Sequence, residues 1–352
     1  MERGPLESAA NAVLVRPETL VAWRMRGATP KGIAHAREGA MTSRGVRKDQ
    51  EHHQMKDIED KVAFITGGAS GIGFGVARAF LRHGVKVVIA DVRQSHLDAA
   101  ASALDRSNKN YHLIRLDVTD RESMARAATE TEKVFGKVHI LCNNAGVSSM
   151  VAMEDASFAD WDFVMNINVG GVVNGVATFV PRIRAHGEGG HIVNTSSMAG
   201  ILALPNPGGI YSTSKFAVRG LTESLRMALG PHNIGVSLLC PGLVRSNLVD
   251  TTLHLNTSGS AQPAGGPFAA GASPLEAGMD PLAVGERVVE GIVGNEPYIL
   301  PHGEFKDEVA ESFAEILQSF PTDRDIDPKR QQFEAMRRQA TTEAKRLAAS
   351  IG

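Results

Sequence analysis

From Lys61 onward the chain alternates short apolar runs with amphipathic stretches: "KVAFIT", "GFGVARAFLRHG", "VKVVIAD", a polar and apolar helical pattern, then "YHLIRLDV". Runs of this length, rich in Val and Ile, suit strands covered on both faces, and the stretches between them suit the covering helices. Such alternation builds βαβ units and a parallel sheet. "VHILCN", "HIVNTSS", "GVSLLCP" and "PYILP" supply further strands. The expected fold is therefore α/β: a doubly wound, Rossmann-like parallel sheet of about seven strands with helices on both faces, followed by a helical C-terminal extension.

Three segments depart from this rhythm. Residues 1–54 mix Arg, Glu, Gly and Ser without sustained periodicity and lack the apolar core of a secretory signal. They also carry Glu2, Glu7, Glu18, Glu38, Asp49 and Glu51, whereas a transit peptide is poor in acids. The segment reads as a disordered extension, or as an upstream reading-frame artefact ahead of a natural start at Met55. Residues 55–303 form the Rossmann-type domain, and inside it residues 247–280, rich in Gly, Ala, Ser and Pro, read as a lid. Leu248, Val249, Leu253, Leu255, Phe268 and Leu275 give that lid an apolar lining for a bulky hydrophobic molecule. Residues 304–352 read as two helices, "EFKDEVAESFAEILQSF" and "QQFEAMRRQATTEAKRLAAS", which pack over a neighbouring subunit or cover the sheet edge.

Composition narrows the partners. A formal charge of -2 and 5% aromatic residues leave no basic stripe with interleaved stacking groups, so nucleic acid is excluded as a partner. Apolar runs fall short of the roughly 18 residues a membrane span needs, which places the protein in water, without a membrane. The two cysteines, Cys142 and Cys240, sit in strand-like runs and suit buried, reduced thiols in a cytoplasm. Metal binding finds no support, because the twelve histidines form no H-E-x-x-H and the His52–His53 pair lies in an unpatterned stretch.

The first strand runs straight into "TGGASGIG", residues 66–73, and then into a helix. Glycine allows a close backbone approach to a pyrophosphate, while a helix N-terminus offers free N–H groups and partial positive charge. The spacing Gly67-x-x-x-Gly71-x-Gly73 differs from the G-x-G-x-x-G of two-domain dehydrogenases. Asp91 ends the second strand, where a carboxylate can bond both ribose hydroxyls of an adenosine and repel a 2′-phosphate. The expected cofactor is NAD rather than NADP, with Arg93 as the counter-indication.

Beside that loop stand "LDV" at 116–118, "NNAG" at 143–146, "NINVGG" at 166–171, "NTSS" at 194–197, "YSTSK" at 211–215 and "CPG" at 240–242. In these motifs, their order and their separations, the stretch from Met55 to about Pro301 resembles the short-chain dehydrogenases/reductases. The resemblance implies a single doubly wound domain with cofactor and substrate in one cleft, and the catalytic set Asn168, Ser197, Tyr211 and Lys215. It also implies cofactor contacts from Gly67, Ser70, Gly71, Ile72, Gly73 and Asp91, and from Asp117 and Val118 beside the adenine. Asn143 would stabilise the central sheet, and Asn144, Ala145, Gly146, Tyr211, Lys215, Pro241, Gly242, Val244 and Ser246 complete the cofactor set. Asn168 would hold a proton-relay water. Two departures stand out: Ser197 lies one residue further from Tyr211 than usual, and Ser246 replaces a more frequent threonine. Family members are commonly dimers or tetramers, through helices at about 157–182 and 211–229, which implies a homo-tetramer or homo-dimer here.

Why Tyr and Lys at this spacing? A free phenol with a pKa near 10 is a poor base at neutral pH. An ammonium four residues on, a neighbour on one helix face, favours the phenolate. The implied reaction interconverts a secondary alcohol and its ketone by hydride transfer, with a hydrophobic alcohol or ketone as the small-molecule partner. "MKDIEDKVAFITGGASGIGFGVARAF", "TFVPRI" and "PYILPHGEFKDEVAESFAEIL" further resemble bacterial dehydrogenases that oxidise the benzylic Cα alcohol of lignin-type β-aryl ethers. The alternatives are a hydroxysteroid or broad-range secondary alcohol dehydrogenase, and, in another class, a non-catalytic NAD(H)-binding protein. An epimerase or dehydratase would carry a different glycine spacing.

Overall fold

The computed structural model describes residues 55, 57–105, 107–149, 151–256, 277–322 and 326–351. The expectations for residues 1–54, and for Phe268 and Leu275 in the lid, lie outside the described residues.

Strand β1 (Val62–Thr66) is buried along its whole length. Its even and odd side chains serve different cores, as period-two alternation requires. Ala63 and Ile65 join Phe80, Val288 and Ile292 on one face, while Phe64 joins Met124, Phe179 and Ile183 on the other. The elements that follow in the chain are α1 (Gly71–Arg82), β2 (Lys86–Asp91), α2 (Gln94–Ala103), β3 (Tyr111–Arg115), α3 (Arg121–Phe135) and β4 (Ile140–Asn143). After them come α4 (Phe158–Met165), a π turn at Asn166–Gly170, α5 (Gly171–His186), β5 (Gly190–Thr195), α6 (Gly209–Leu229) and β6 (Ile234–Leu239). The last are α7 (Leu248–Leu255), α8 (Pro281–Val293), β7 (Tyr298–Ile299), α9 (Lys306–Gln318) and α10 (Pro328–Ala349).

All seven strands are parallel, in the order β3-β2-β1-β4-β5-β6-β7. Each strand coincides with the run that predicted it, with β5 and β6 each starting one residue earlier, at Gly190 and Ile234. The order reverses between β1 and β4, and in open α/β sheets a ligand crevice forms beyond the strand ends at such a switch point. Local chemistry sets the helix starts. Asp120 caps α3 by accepting from the Glu122 and Ser123 N–H groups, Ser157 and Asp160 form a reciprocal capping box on α4, and Asp280 with Pro281 opens α8. Helices α1 and α8 touch backbone to backbone, since a Cβ built on Gly75 would lie 2.0 Å from the Pro281 carbonyl oxygen.

Two sequence expectations change. Phe158–His186 forms one helical stretch that is long and apolar enough to cross a membrane by length and composition, with mean hydropathy 1.5. Spaced Asn, Gly and Thr hid it from a search for unbroken apolar runs. Within the domain Phe179 and Ile183 are fully buried, and Asn174 Nδ2 donates to the Val118 carbonyl at 2.9 Å. The segment read as a lid opens, among its described residues, with a helix, α7, that its composition did not suggest. Its stems are pinned where Arg245 N–H donates to the Met279 carbonyl at 3.1 Å and Met279 N–H to that of Leu243 at 2.9 Å. Both C-terminal helices form. Val309 of α9 packs on the cluster around Leu238, and Ala348 of α10 is buried, but Phe313, Ile316, Leu317, Phe333 and Met336 are exposed.

Candidate active site

A cleft of about 1010 Å³ opens beyond the C-terminal strand ends. The structure brings to its wall Gly67, Ser70, Gly71, Ile72, Asp91, Asp117, Val118, Asn144, Ala145, Gly146, Ser197, Tyr211, Lys215, Pro241, Gly242, Val244 and Ser246. Gly73 and Asn168 stand behind that wall. A Cβ on Gly73 would lie 2.1 Å from the Gly67 carbonyl oxygen, so this glycine lets the loop close on itself.

The loop is built to leave donors open. Gly67 and Gly71 have φ of +59° and +50°, the left-handed region that favours glycine. Ser70 makes no side-chain cap bond and the first turn of α1 holds no acid, so the helix N-terminus meets the cleft uncompensated. Thr66 Oγ1 accepts from the backbone N–H groups of Asn144 at 3.0 Å and Ala145 at 3.1 Å. Asn144 Nδ2 reaches back to the carbonyls of Thr66 and Gly67 at 3.2 and 3.1 Å. The loop and the "NAG" turn are thereby fixed to each other across the switch point. Asn143 points into the sheet instead, where its Nδ2 donates to Asn194 Oδ1 at 2.8 Å.

At the second strand's end Asp91 is 6% exposed. Its Oδ2 accepts from Ala69 N–H at 3.3 Å and its Oδ1 from Arg93 N–H at 3.0 Å, leaving lone pairs toward the cleft. Together these features fit a nicotinamide dinucleotide: open N–H groups for a pyrophosphate, a carboxylate for a ribose, and enough length and volume for both.

The catalytic candidates converge at the other end. Lys215 Nζ lies 5.5 Å from the centre of the Tyr211 ring and donates to the Thr195 carbonyl at 3.1 Å. Burial pushes the Tyr211 phenol above its ordinary value, and the adjacent Ser197 hydroxyl draws it back. Burial also pushes the Lys215 amine down to about 8. Desolvation thus opposes the phenolate that the sequence pairing alone would favour. Ser197, not Ser196, meets the phenol, since Ser196 Oγ donates to the Lys215 carbonyl at 2.9 Å. Asn168 is 1% exposed and its amide is fully engaged. Oδ1 accepts from Val147 N–H at 2.8 Å, while Nδ2 donates to the Val147 carbonyl and to Ser214 Oγ, both at 2.9 Å.

A second cluster, His139, His186 and Glu188, has potential ligand atoms within 4.8 Å of one another. Its hydrogen bonds leave no imidazole lone pair for a metal. His139 Nδ1 accepts from Val62 N–H at 3.2 Å, which puts the proton on the Nε2 that faces Glu188 at 3.0 Å. His186 accepts from Glu188 N–H through Nδ1 at 3.1 Å and faces the Val138 carbonyl with Nε2 at 2.9 Å.

Comparison with known proteins agrees with this geometry. The short chain dehydrogenase family model matches residues 61–255. The chain belongs to the short-chain dehydrogenase family. It is 39% identical over 290 residues to the C alpha-dehydrogenase of Sphingobium sp. (strain NBRC 103272 / SYK-6), covering 80% of this chain and 94% of that protein. Identity to the 3-alpha-(or 20-beta)-hydroxysteroid dehydrogenase of Mycobacterium bovis is 36% over 190 residues, 54% of this chain and 71% of that one. A crystal structure of a short chain dehydrogenase/reductase from Burkholderia phymatum in complex with NAD superposes with a TM-score of 0.69 at 34% identity, covering 77% of this chain and 99% of that chain. This short-chain dehydrogenase is thus an oxidoreductase acting on CH–OH groups, in a family that binds nicotinamide cofactors.

Sequence reading missed several residues of the dehydrogenase's site. Thr195, which borders the cleft and holds Lys215, carried a signal in its place at the end of a strand run. His96 and Thr251 also border the cleft, and neither lies in a recognisable motif. Buried Thr252 accepts from Ser148 N–H at 2.8 Å and so fastens α7 to the loop after β4.

Proposed function

We propose that this short-chain dehydrogenase uses NAD to interconvert a bulky hydrophobic secondary alcohol and its ketone, with benzylic alcohols of lignin-type β-aryl ethers as the leading substrate class. The convergence of Tyr211, Ser197 and Lys215 on one cleft wall carries the reading. Bound in the cleft, the nicotinamide would supply the hydride acceptor or donor. The Tyr211 phenol oxygen takes the alcohol proton as base, or gives it back in ketone reduction. Ser197 Oγ orients the substrate oxygen and stabilises its developing charge. Lys215 Nζ favours the phenolate, and Asn168, at the π turn, positions a relay water through its main chain, its amide being engaged elsewhere. Gly67, Gly71 and the start of α1 hold the pyrophosphate, and Asp91 the adenosine ribose.

Leu243, Val147, Leu248 and Leu255 along the cleft favour an apolar substrate. The SYK-6 relative supports the benzylic class, and the hydroxysteroid dehydrogenase supports steroids as the second reading. A homo-dimer or homo-tetramer accords with exposed Val173 on α5 and Phe216 on α6, and a cytoplasmic setting with the buried free thiols of Cys142 and Cys240. NADH formation from paired panels of aryl-ether benzylic alcohols and hydroxysteroids tests the substrate. Tyr211→Phe tests the mechanism: it should bind NADH normally and lose at least about a hundredfold in turnover. Near-normal turnover would refute Tyr211 as the base.

A further inference from the structure

We propose that Asp250 on α7 governs cofactor choice indirectly, by holding the Arg93 guanidinium away from the adenosine end of the cleft. The inference rests on the NAD reading above. Arg93 follows Asp91 by two residues, and an arginine in that neighbourhood is suited to receive the 2′-phosphate that distinguishes NADP. Its backbone is held against Asp91, with the N–H donating to Oδ1 at 3.0 Å. The side chain nevertheless turns to α7, where Nη1 donates to Asp250 Oδ2 at 2.6 Å. Asp91, Val92 and His96 border the cleft, and Arg93 does not.

Three further observations favour a held guanidinium. The Arg93 side chain is only 15% exposed. Its Nε is buried without a hydrogen-bond partner among the described residues, so the orientation is not one that satisfies the guanidinium best. The partner carboxylate comes from a helix that is itself tied down by Thr252. Asp91 and His96 also face this corner, and burial keeps His96 below its ordinary pKa, so it adds little positive charge near neutral pH. With Arg93 engaged by Asp250, the Asp91 carboxylate meets the adenosine ribose without the Arg93 guanidinium beside it, where it accepts ribose hydroxyls and repels a 2′-phosphate; Asp117 and Arg121 also border the cleft.

The experiment is calorimetric titration of the full chain with 5′-AMP and with adenosine 2′,5′-bisphosphate, which reads binding without turnover. Wild-type protein and Arg93→Ala should both prefer 5′-AMP. Asp250→Asn should move the ratio of dissociation constants toward the bisphosphate by about fivefold, a modest change because an ion pair with one exposed partner is weak. Arg93→Ala combined with Asp250→Asn should abolish that gain. An unchanged ratio in Asp250→Asn, or a gain that survives in the double variant, overturns the inference and leaves the NAD reading standing. A wild-type preference for the bisphosphate overturns both.

Discussion

Ser214→Ala tests how the helix carrying Tyr211 is tied to the π turn. Ser214 is fully buried, and its hydroxyl accepts from Asn168 Nδ2 at 2.9 Å while donating to the Tyr211 carbonyl at 2.7 Å. One Asn168 amide hydrogen serves the Val147 carbonyl and the other serves Ser214. The substitution therefore strands one N–H in a dry site, a loss of about 1–3 kcal/mol. The Tyr211 carbonyl keeps its place in the helical ladder, so it adds little. For a domain of roughly 250 residues each kcal/mol moves Tm by about 2–4 °C, giving an expected fall of about 2–12 °C. Differential scanning calorimetry measures it, and steady-state kinetics should show kcat reduced with cofactor affinity unchanged, because the phenol loses its support while the nucleotide contacts do not. A Tm within about 1 °C of wild type would refute the reasoning, since an unpaired buried amide N–H cannot be that cheap.

Two other predictions concern stability. His191 is fully buried with Nε2 on Ser237 Oγ at 2.8 Å, and burial pushes its pKa down to about 3. The unfolded chain binds that proton near pH 6.5, so the contribution is intact above pH 6.5 and is lost as pH falls toward 3, at up to about 1.4 kcal/mol per pH unit. His139, also lowered by burial, acts with the same sign. Urea unfolding across this window should show the slope, and His191→Gln should flatten it; an equal slope would assign the acid sensitivity elsewhere. Arg226 donates to the Val236 and Asn295 carbonyls, both at 2.7 Å, and reaches the Ala348 carbonyl at 3.5 Å. Arg226→Met should loosen the end of α10 and speed tryptic cleavage at Lys345 and Arg346, while cleavage at the wild-type rate would show that Asn295, whose Nδ2 donates to the Ala348 and Ile351 carbonyls, both at 3.0 Å, holds the helix by itself.

Much of the fold was legible because parallel strands covered on both faces must be apolar throughout, and the strands of this sheet match runs that show it to within one residue. The glycine-rich turn after β1 was legible for a different reason: positive φ at Gly67 and Gly71 demands a particular residue type. What could not be read depends on distant pairing. Helix α7 was hidden in a segment judged by its Gly, Ala, Ser and Pro content, and its anchors, Thr252 on Ser148 and Asp250 on Arg93, join residues far apart in the chain. Arg93 itself raised a question about cofactor choice that spacing could not address, since where its side chain turns depends on Asp250, far along the chain. Asn168 was found by motif, yet its engaged amide appears only with Val147 and Ser214 in place.

The Tyr211–Lys215 pair shows how far a motif carries the chemistry. Taking the 5.5 Å from Lys215 Nζ to the Tyr211 ring centre as the scale of separation, at an effective dielectric of about 20 an ammonium attracts a phenolate by about 3 kcal/mol, equivalent to about two pH units. Burial acts in the opposite direction on both groups, raising the phenol and lowering the amine to about 8. The attraction opposes desolvation, yet burial leaves the phenol above its ordinary value, on the alkaline side of neutrality. Alcohol oxidation should accordingly rise with pH as the phenol deprotonates. In Lys215→Met the attraction is gone while the burial remains, so the rising limb of kcat should move to higher pH, by up to about two units. The readout is the pH dependence of kcat at saturating alcohol and cofactor. A limb that stays in place in Lys215→Met would show that the ammonium does not set the phenol's ionisation.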